Sequence, residues 1–238
     1  MRIAPVLVLA LQLALPALLR AEDPAPRPSD EEAAKKTEEL KAALKGDSDD
    51  AKREAIASCA DCPHPKVAAA LAPVLVSGTD ELRTAAAQAL GRMSGLADAA
   101  KALHAALAPN EKHGKVLEAL FAAIESVNHP SSVPVCQKWV NDRNDLRDSD
   151  EVNGVLLAID ALGGLKWKAS VDALIAIWNK KKVSGRGGGT GGGYKDKCRK
   201  HAEGALRRLT AEAFGDVELW EDWWKKNAKN FNDDMTTK

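Results

Sequence analysis

Residues Leu82–Gly91 read Leu-Arg-Thr-Ala-Ala-Ala-Gln-Ala-Leu-Gly, and the chain repeats variants of this phrase. The related lines are Arg53–Ala60 (REAIASCA), Val116–Ile124 (VLEALFAAI), Val155–Gly163 (VLLAIDALG) and Arg199–Thr210 (RKHAEGALRRLT). Aligned, they put Ala60, Gly91, Ile124, Gly163 and Thr210 in one register, at spacings of 31, 33, 39 and 47. A period of this length marks stacked helical pairs, because one pair cannot bury its apolar face alone. The expected fold class is therefore all-α.

Outward from Leu82 the pattern predicts five hairpins. Thr79–Met93 pairs with Ala97–Leu107 across Ser94-Gly95. Before it, Asp50–Cys62 pairs with Lys66–Val76 across Pro63-His64-Pro65, since proline cannot continue a helix and restricts the residue before it. After it come Lys112–Val127 with Val133–Val140, broken at Asn128-His129-Pro130, and Ser149–Leu162 with Ala169–Lys181, broken at Gly163-Gly164. The fifth pairs Lys195–Ala213 with Val217–Ala228, broken at Gly215. Ala86, Ala89, Leu90 and Met93 share one apolar stripe, and Leu156, Ile159, Ala161 and Leu162 a looser one. Six Trp, three Phe and one Tyr are too few to fill such a core, which must be built from Ala, Leu, Val and Ile.

Two connections between hairpins are long. Asn141–Asp150 is strongly charged, and Val183–Tyr194 is glycine-rich, with no side chains to bury and an expectation of mobility. Insertions of this kind usually sit on one face of a solenoid, often the binding face.

The chain starts with the marks of a processing signal. Met1-Arg2 is short and basic, Ile3–Leu19 is almost wholly apolar, and Ala21 precedes a polar stretch, which places signal cleavage after residue 21, the alternatives being an earlier cut after Ala17 or an uncleaved membrane anchor. The apolar run is shorter than the roughly 20 residues of a spanning helix. No transmembrane segment is expected after cleavage, and the protein is expected to be exported, to the periplasm or beyond. The full chain has 34 basic and 34 acidic residues, so removing Arg2 and Arg20 leaves a small acidic excess. That balance argues against a chain built mainly for polyanions. The expected organisation is signal peptide 1–21, Pro-rich linker 22–29, N-terminal helix 30–46, repeat domain 47–230 containing the 183–194 loop, and C-terminal tail 231–238.

The residues resemble a family at this point. A basic or polar residue opens a helix, an Ala/Leu stripe ends in Leu-Gly, and a short turn leads to a second helix of Ala-x-x-Leu type, best seen in Leu82–Leu107. This resembles HEAT repeats and the wider armadillo-like group. The ending Leu206–Asn227, with its Phe-Gly turn and Trp-x-x-Trp-Trp helix, is similar to the closing unit of secreted bacterial HEAT-repeat proteins. The resemblance implies a right-handed α-α superhelix of about five hairpins serving as a non-catalytic scaffold for another protein. The chain departs from the pattern in lacking the usual proline of the first helix, and its third and fifth copies are degenerate.

Candidate sites are few. Cys59 and Cys62 are expected to form a disulfide, since only neighbouring repeats touch and residues three apart in a helix bring Cα atoms to about 5 Å. Such a bridge closes almost no loop and stabilises little. Buried thiols, or a redox or metal pair, are the alternatives. His64 is near, but a fourth metal ligand is missing and Pro63 breaks a Cys-x-x-Cys-His haem motif. No metal or cofactor is expected.

Lys180, Lys181, Lys182, Arg186, Lys195, Lys197, Arg199 and Lys200, with Arg207 and Arg208, oppose only Asp196 and Glu203. They read as a solvated segment or as a patch for an anionic polymer, a membrane surface or an acidic partner. The export signal argues against nucleic acid. The glycine run completes no Walker pattern, because Tyr194 follows Gly193 where lysine would be needed. Trp220, Trp223 and Trp224 fall on one helix face and read as a cap over the last repeat, the alternative being an aromatic binding patch. The five histidines are dispersed and no Ser/His/Asp or His-Glu-x-x-His arrangement occurs, so catalysis finds no support. The expected partner is another protein.

Overall fold

The computed structural model of the chain describes residues 28–143, 146, 149–180 and 193–238. The signal peptide 1–21, most of the linker 22–29, Lys181, Lys182, Arg186 and most of the 183–194 loop lie outside the described residues.

Twelve α-helices and no β-strand occur among the described residues. They are α1 (Asp30–Lys45), α2 (Asp49–Ser58), α3 (Pro65–Leu71), α4 (Val74–Ser77), α5 (Asp80–Gly91) and α6 (Ala97–Leu107), then α7 (Gly114–Val127), α8 (Ser132–Asn141), α9 (Ser149–Gly164), α10 (Lys168–Lys180), α11 (Tyr194–Thr210) and α12 (Val217–Asn227). Side-chain caps set several starts. Ser29 accepts the Glu32 N–H at 3.2 Å while the Glu32 carboxylate accepts the Ser29 N–H at 2.7 Å, a reciprocal capping box. Ser48 and Thr79 cap α2 and α5 in the same sense, each followed by two acids that favour the helix N-terminus.

The helices stack in two layers. α2, α5, α7, α9 and α11 lie side by side as the first helices of successive hairpins, and α3–α4, α6, α8, α10 and α12 form the second layer. This is an all-α HEAT-type solenoid. The apolar core runs continuously between the layers through Ile56, Leu71, Leu90, Leu103, Leu120, Ile159, Leu174 and Leu206, all fully buried. Each such side chain stabilises the fold by about 1.5–3 kcal/mol.

The Leu-Gly ending of the repeated phrase is a packing device. A Cβ on Gly91 would lie 3.1 Å from the Ala123 Cα, and one on Gly163 would lie 2.7 Å from the Ala205 Cβ. These glycines let α5 approach α7, and α9 approach α11, backbone to backbone. The expected break at Gly163-Gly164 is accordingly misplaced: α9 runs through Gly164 and the chain turns at Leu165–Trp167. Glycine serves close approach at that point and the turn is held elsewhere. Asn128, in the left-handed region at φ 49°, accepts the Lys166 N–H on its side-chain oxygen at 3.0 Å and the Trp167 indole N–H on its carbonyl at 3.2 Å. The second helix of the first hairpin is also split where one helix is expected, because Pro73 interrupts it between α3 and α4.

Connections between hairpins carry their own polar lock. Asn110 is fully buried, and its amide donates to the carbonyls of Leu75 (2.9 Å) and Ala106 (2.8 Å). Arg83 donates to the Asn110 side-chain oxygen at 3.0 Å and to the Gly78 carbonyl at 2.7 Å. Both ends of the stack are covered. α1 lies across α2 and α3, with Asp30 paired to Lys66 at 2.8 Å. At the other end Trp220 is fully buried and donates to the Phe214 carbonyl, and Trp224 is buried and donates to Asp172 at 2.7 Å. The tail turns back so that Phe231 pairs with Thr237 and packs on Trp223 and Trp224, while the Asp233 carbonyl accepts the Lys168 N–H.

Candidate functional site

A cleft of about 630 Å³ opens on the first-helix layer between α7, α9 and α11. α7 supplies Gly114, Lys115, Leu117 and Glu118. α9 supplies Asp150, Asn153, Gly154, Leu156, Leu157 and Asp160, and α11 supplies His201. Leu156 and Leu157 stand half-buried in its wall. Gly154 lets the Leu117 side chain press against α9, since a Cβ there would fall 2.9 Å from Leu117 Cδ2.

A charged cluster closes one end. His201 Nδ1 meets the Asp160 carboxylate at 2.9 Å, and Arg208 donates to the Asp160 carbonyl at 3.1 Å. Glu125 approaches from α7, its carboxyl against Gly164. Burial raises the Glu125 carboxyl above the usual carboxylate range, Arg208 opposes that rise and Asp160 adds to it. The cluster joins three successive first-layer helices, so it fixes the shape of the cleft. It can orient a polar group, and with Leu156 and Leu157 beside it can accept a side chain with an apolar body and a charged tip.

The residues expected to form sites are dispersed. Cys59 and Cys62 stand as free thiols, where the sequence reading expects a disulfide. They flank a 3₁₀ turn beneath α1, and the Cys59 thiol donates to the Ala55 carbonyl at 3.3 Å. Burial pushes the Cys59 thiol up to about 11 and raises Cys62 as well, so the thiolate that starts disulfide exchange is scarce at neutral pH. No group of three His, Cys, Asp or Glu side chains suited to a metal occurs among the described residues.

In the basic segment, Lys180 donates to the Asn141 carbonyl. Arg199 pairs with Asp196, Arg207 with Glu203 and Arg208 with Asp160. Lys195 and Lys197 lie in the first turn of α11, Lys200 one turn on, and of these three Lys197 and Lys200 are exposed. The structure thus draws Arg199, Arg207 and Arg208 into separate ion pairs and, among the described residues, does not gather them into one site. Trp220 and Trp224 are buried and Trp223 is half-buried against Phe214 and Phe231. A smaller cleft of about 460 Å³ lies between α10 and α12, bounded by Asp172, Asn179, Glu221 and Trp224. No helix among the described residues is long and apolar enough to cross a membrane.

Residues 37–120 match the family model described as HEAT repeats. No curated protein matches the chain. The matched stretch carries HEAT repeats, the two-layer stack continues the same all-α solenoid beyond it, and HEAT repeats are protein-interaction modules.

Proposed function

We propose that the chain is an exported, non-catalytic scaffold that holds another protein against its solenoid. The observation that carries this reading is the continuous two-layer stack covered at both ends. Stacked pairs create an extended surface whose curvature follows from small rotations per repeat. With the ends occupied by α1 and by the aromatic cap, the lateral faces are the surfaces left for a partner. The export half of the proposal rests on Met1–Ala21.

Two measurements test it. Chemical cross-linking of the full chain in native extract, followed by its isolation, is expected to recover a stoichiometric protein partner. Recovery of no partner together with turnover of a substrate would overturn the scaffold reading. Intact mass of the exported chain is expected to correspond to a start at Glu22. A chain retaining Met1 in the cytosol rejects export and leaves the scaffold untouched.

A further inference from the structure

We propose that the cleft between α7, α9 and α11 seats a segment of the partner that presents an aliphatic or aromatic side chain flanked by lysine or arginine. The inference rests on the scaffold reading and names the chemistry of its partner.

The first argument is the repeat register. Six residues before each aligned position stand Glu54, Ala85, Glu118, Leu157 and Gly204. This position lies on the solvent side of the first-layer helices: Glu54 and Glu118 are exposed and the other three are half-buried. Four copies place an acid or a small residue there; α9 alone places a large apolar one. One residue earlier stand Arg53, Thr84, Leu117, Leu156 and Glu203, so α9 again carries leucine where three copies are polar. The inward side of α9 is already filled by Val155, Ala158, Ile159 and Leu162, all fully buried. Leu156 and Leu157 therefore pack only on the edge of the core and leave part of their surface in the cleft wall. Paired apolar side chains at the wall of a polar-rimmed cleft mark a contact surface.

The second argument is charge. Glu118, Asp150 and Asp160 line the cleft against Lys115 and the Asp160-bound imidazole of His201. Three carboxylates against one lysine and one histidine leave the lining acidic, which favours a cationic neighbour and disfavours an anionic polymer. The exposed Glu118 and the apolar Leu157 thus form one recognition pair from two adjacent hairpins.

The test uses the full chain and a phage-displayed library of dodecapeptides. Enriched peptides are expected to carry Lys or Arg beside Leu, Ile, Phe or Trp. Their affinity is expected to fall by about tenfold or more in Leu157→Asp and in Glu118→Lys, and to stay unchanged in Lys225→Glu on α12. Glu118 is exposed, so Glu118→Lys keeps the test decisive if Leu157→Asp fails to fold. Recovery of no binders, enrichment of acidic peptides, or binding indifferent to both cleft variants overturns the proposal. Binders that map to another face overturn the cleft while leaving the scaffold reading standing, which the cross-linking experiment judges separately.

Discussion

The chain has two halves that obey the same stacking rule and differ in what they add to it. From α2 to the middle of α7 the repeats keep spacings of 31 and 33 residues and match the HEAT model. From there to α12 the spacings grow to 39 and 47, and the outward positions stop being uniformly polar or small. Both halves bring first-layer helices together over glycine, Gly91 against Ala123 and Gly163 against Ala205. The contrast teaches that the inward face of each hairpin is under one packing constraint, whereas the outward face and the connections are free to diverge. The cleft straddles the boundary, walled on one side by the first half of α7, while its charged end wall and the aromatic cap belong to the divergent half.

The largest expected effect tests whether that half depends on its cap. Trp220→Ala should cost about 3–5 kcal/mol, the range for truncating a buried aromatic. In a stack where each repeat touches only its neighbours, the loss should fall on α10–α12. Hydrogen exchange should show those helices deprotected while α5 and α6 keep their protection; uniform deprotection would mean that the two halves unfold as one.

A smaller effect compares the two glycine contacts directly. Gly163→Ala drives a Cβ within 2.7 Å of Ala205 and should cost about 2 kcal/mol in urea denaturation. Gly91→Ala meets Ala123 at 3.1 Å, and the gain in helix propensity of about 1 kcal/mol should hold it within about 1 kcal/mol of the parent. Equal losses would contradict the distances.

Acidity should separate the halves by sign. His104, on α6, bonds to the buried Ser132 at 2.9 Å, and burial depresses its imidazole to about 4. The unfolded chain takes up that proton first, so His104 contributes stability that is present above pH about 6.5 and lost as the pH falls towards 4. Glu125, on α7, has a raised carboxyl, so its contribution is favourable below its ordinary 4.5 and lost as the pH rises through the raised value. Stability followed against pH should fall less between pH about 6.5 and 4 in His104→Gln, and should rise near neutrality in Glu125→Gln. The smallest expected effect is that of Leu157→Ser, within about 1 kcal/mol because the side chain is only half-buried. A loss as large as that of a core leucine would place Leu157 in the core and remove it from the cleft.

The stack itself was legible from the spacing of the Leu82–Gly91 phrase, because a buried stripe must recur wherever a hairpin recurs. The same letters misled at Gly163-Gly164. Glycine can reverse a chain or admit a neighbouring backbone, and the local sequence does not say which; here Asn128, some 35 residues away, holds the turn. The Cys-x-x-Cys spacing was visible, but not that its residues flank a 3₁₀ turn under α1. Of the cap, the tryptophan spacing on α12 was readable, whereas the return of Phe231 onto it depends on a tail pairing with few residues to announce it. The cleft drew its side chains from three helices and could not be assembled by reading along the chain. Its one linear trace was Leu156-Leu157, two leucines where the register elsewhere is mostly polar or small.

Hydrogen exchange of the full chain, alone and with its cross-linking-identified partner, tests the central claim most directly. The account predicts that binding slows exchange in the first half of α7, in α9 and around His201, with α2 to α6 unchanged. Protection confined to α2–α6, or to the second-layer helices, would contradict it.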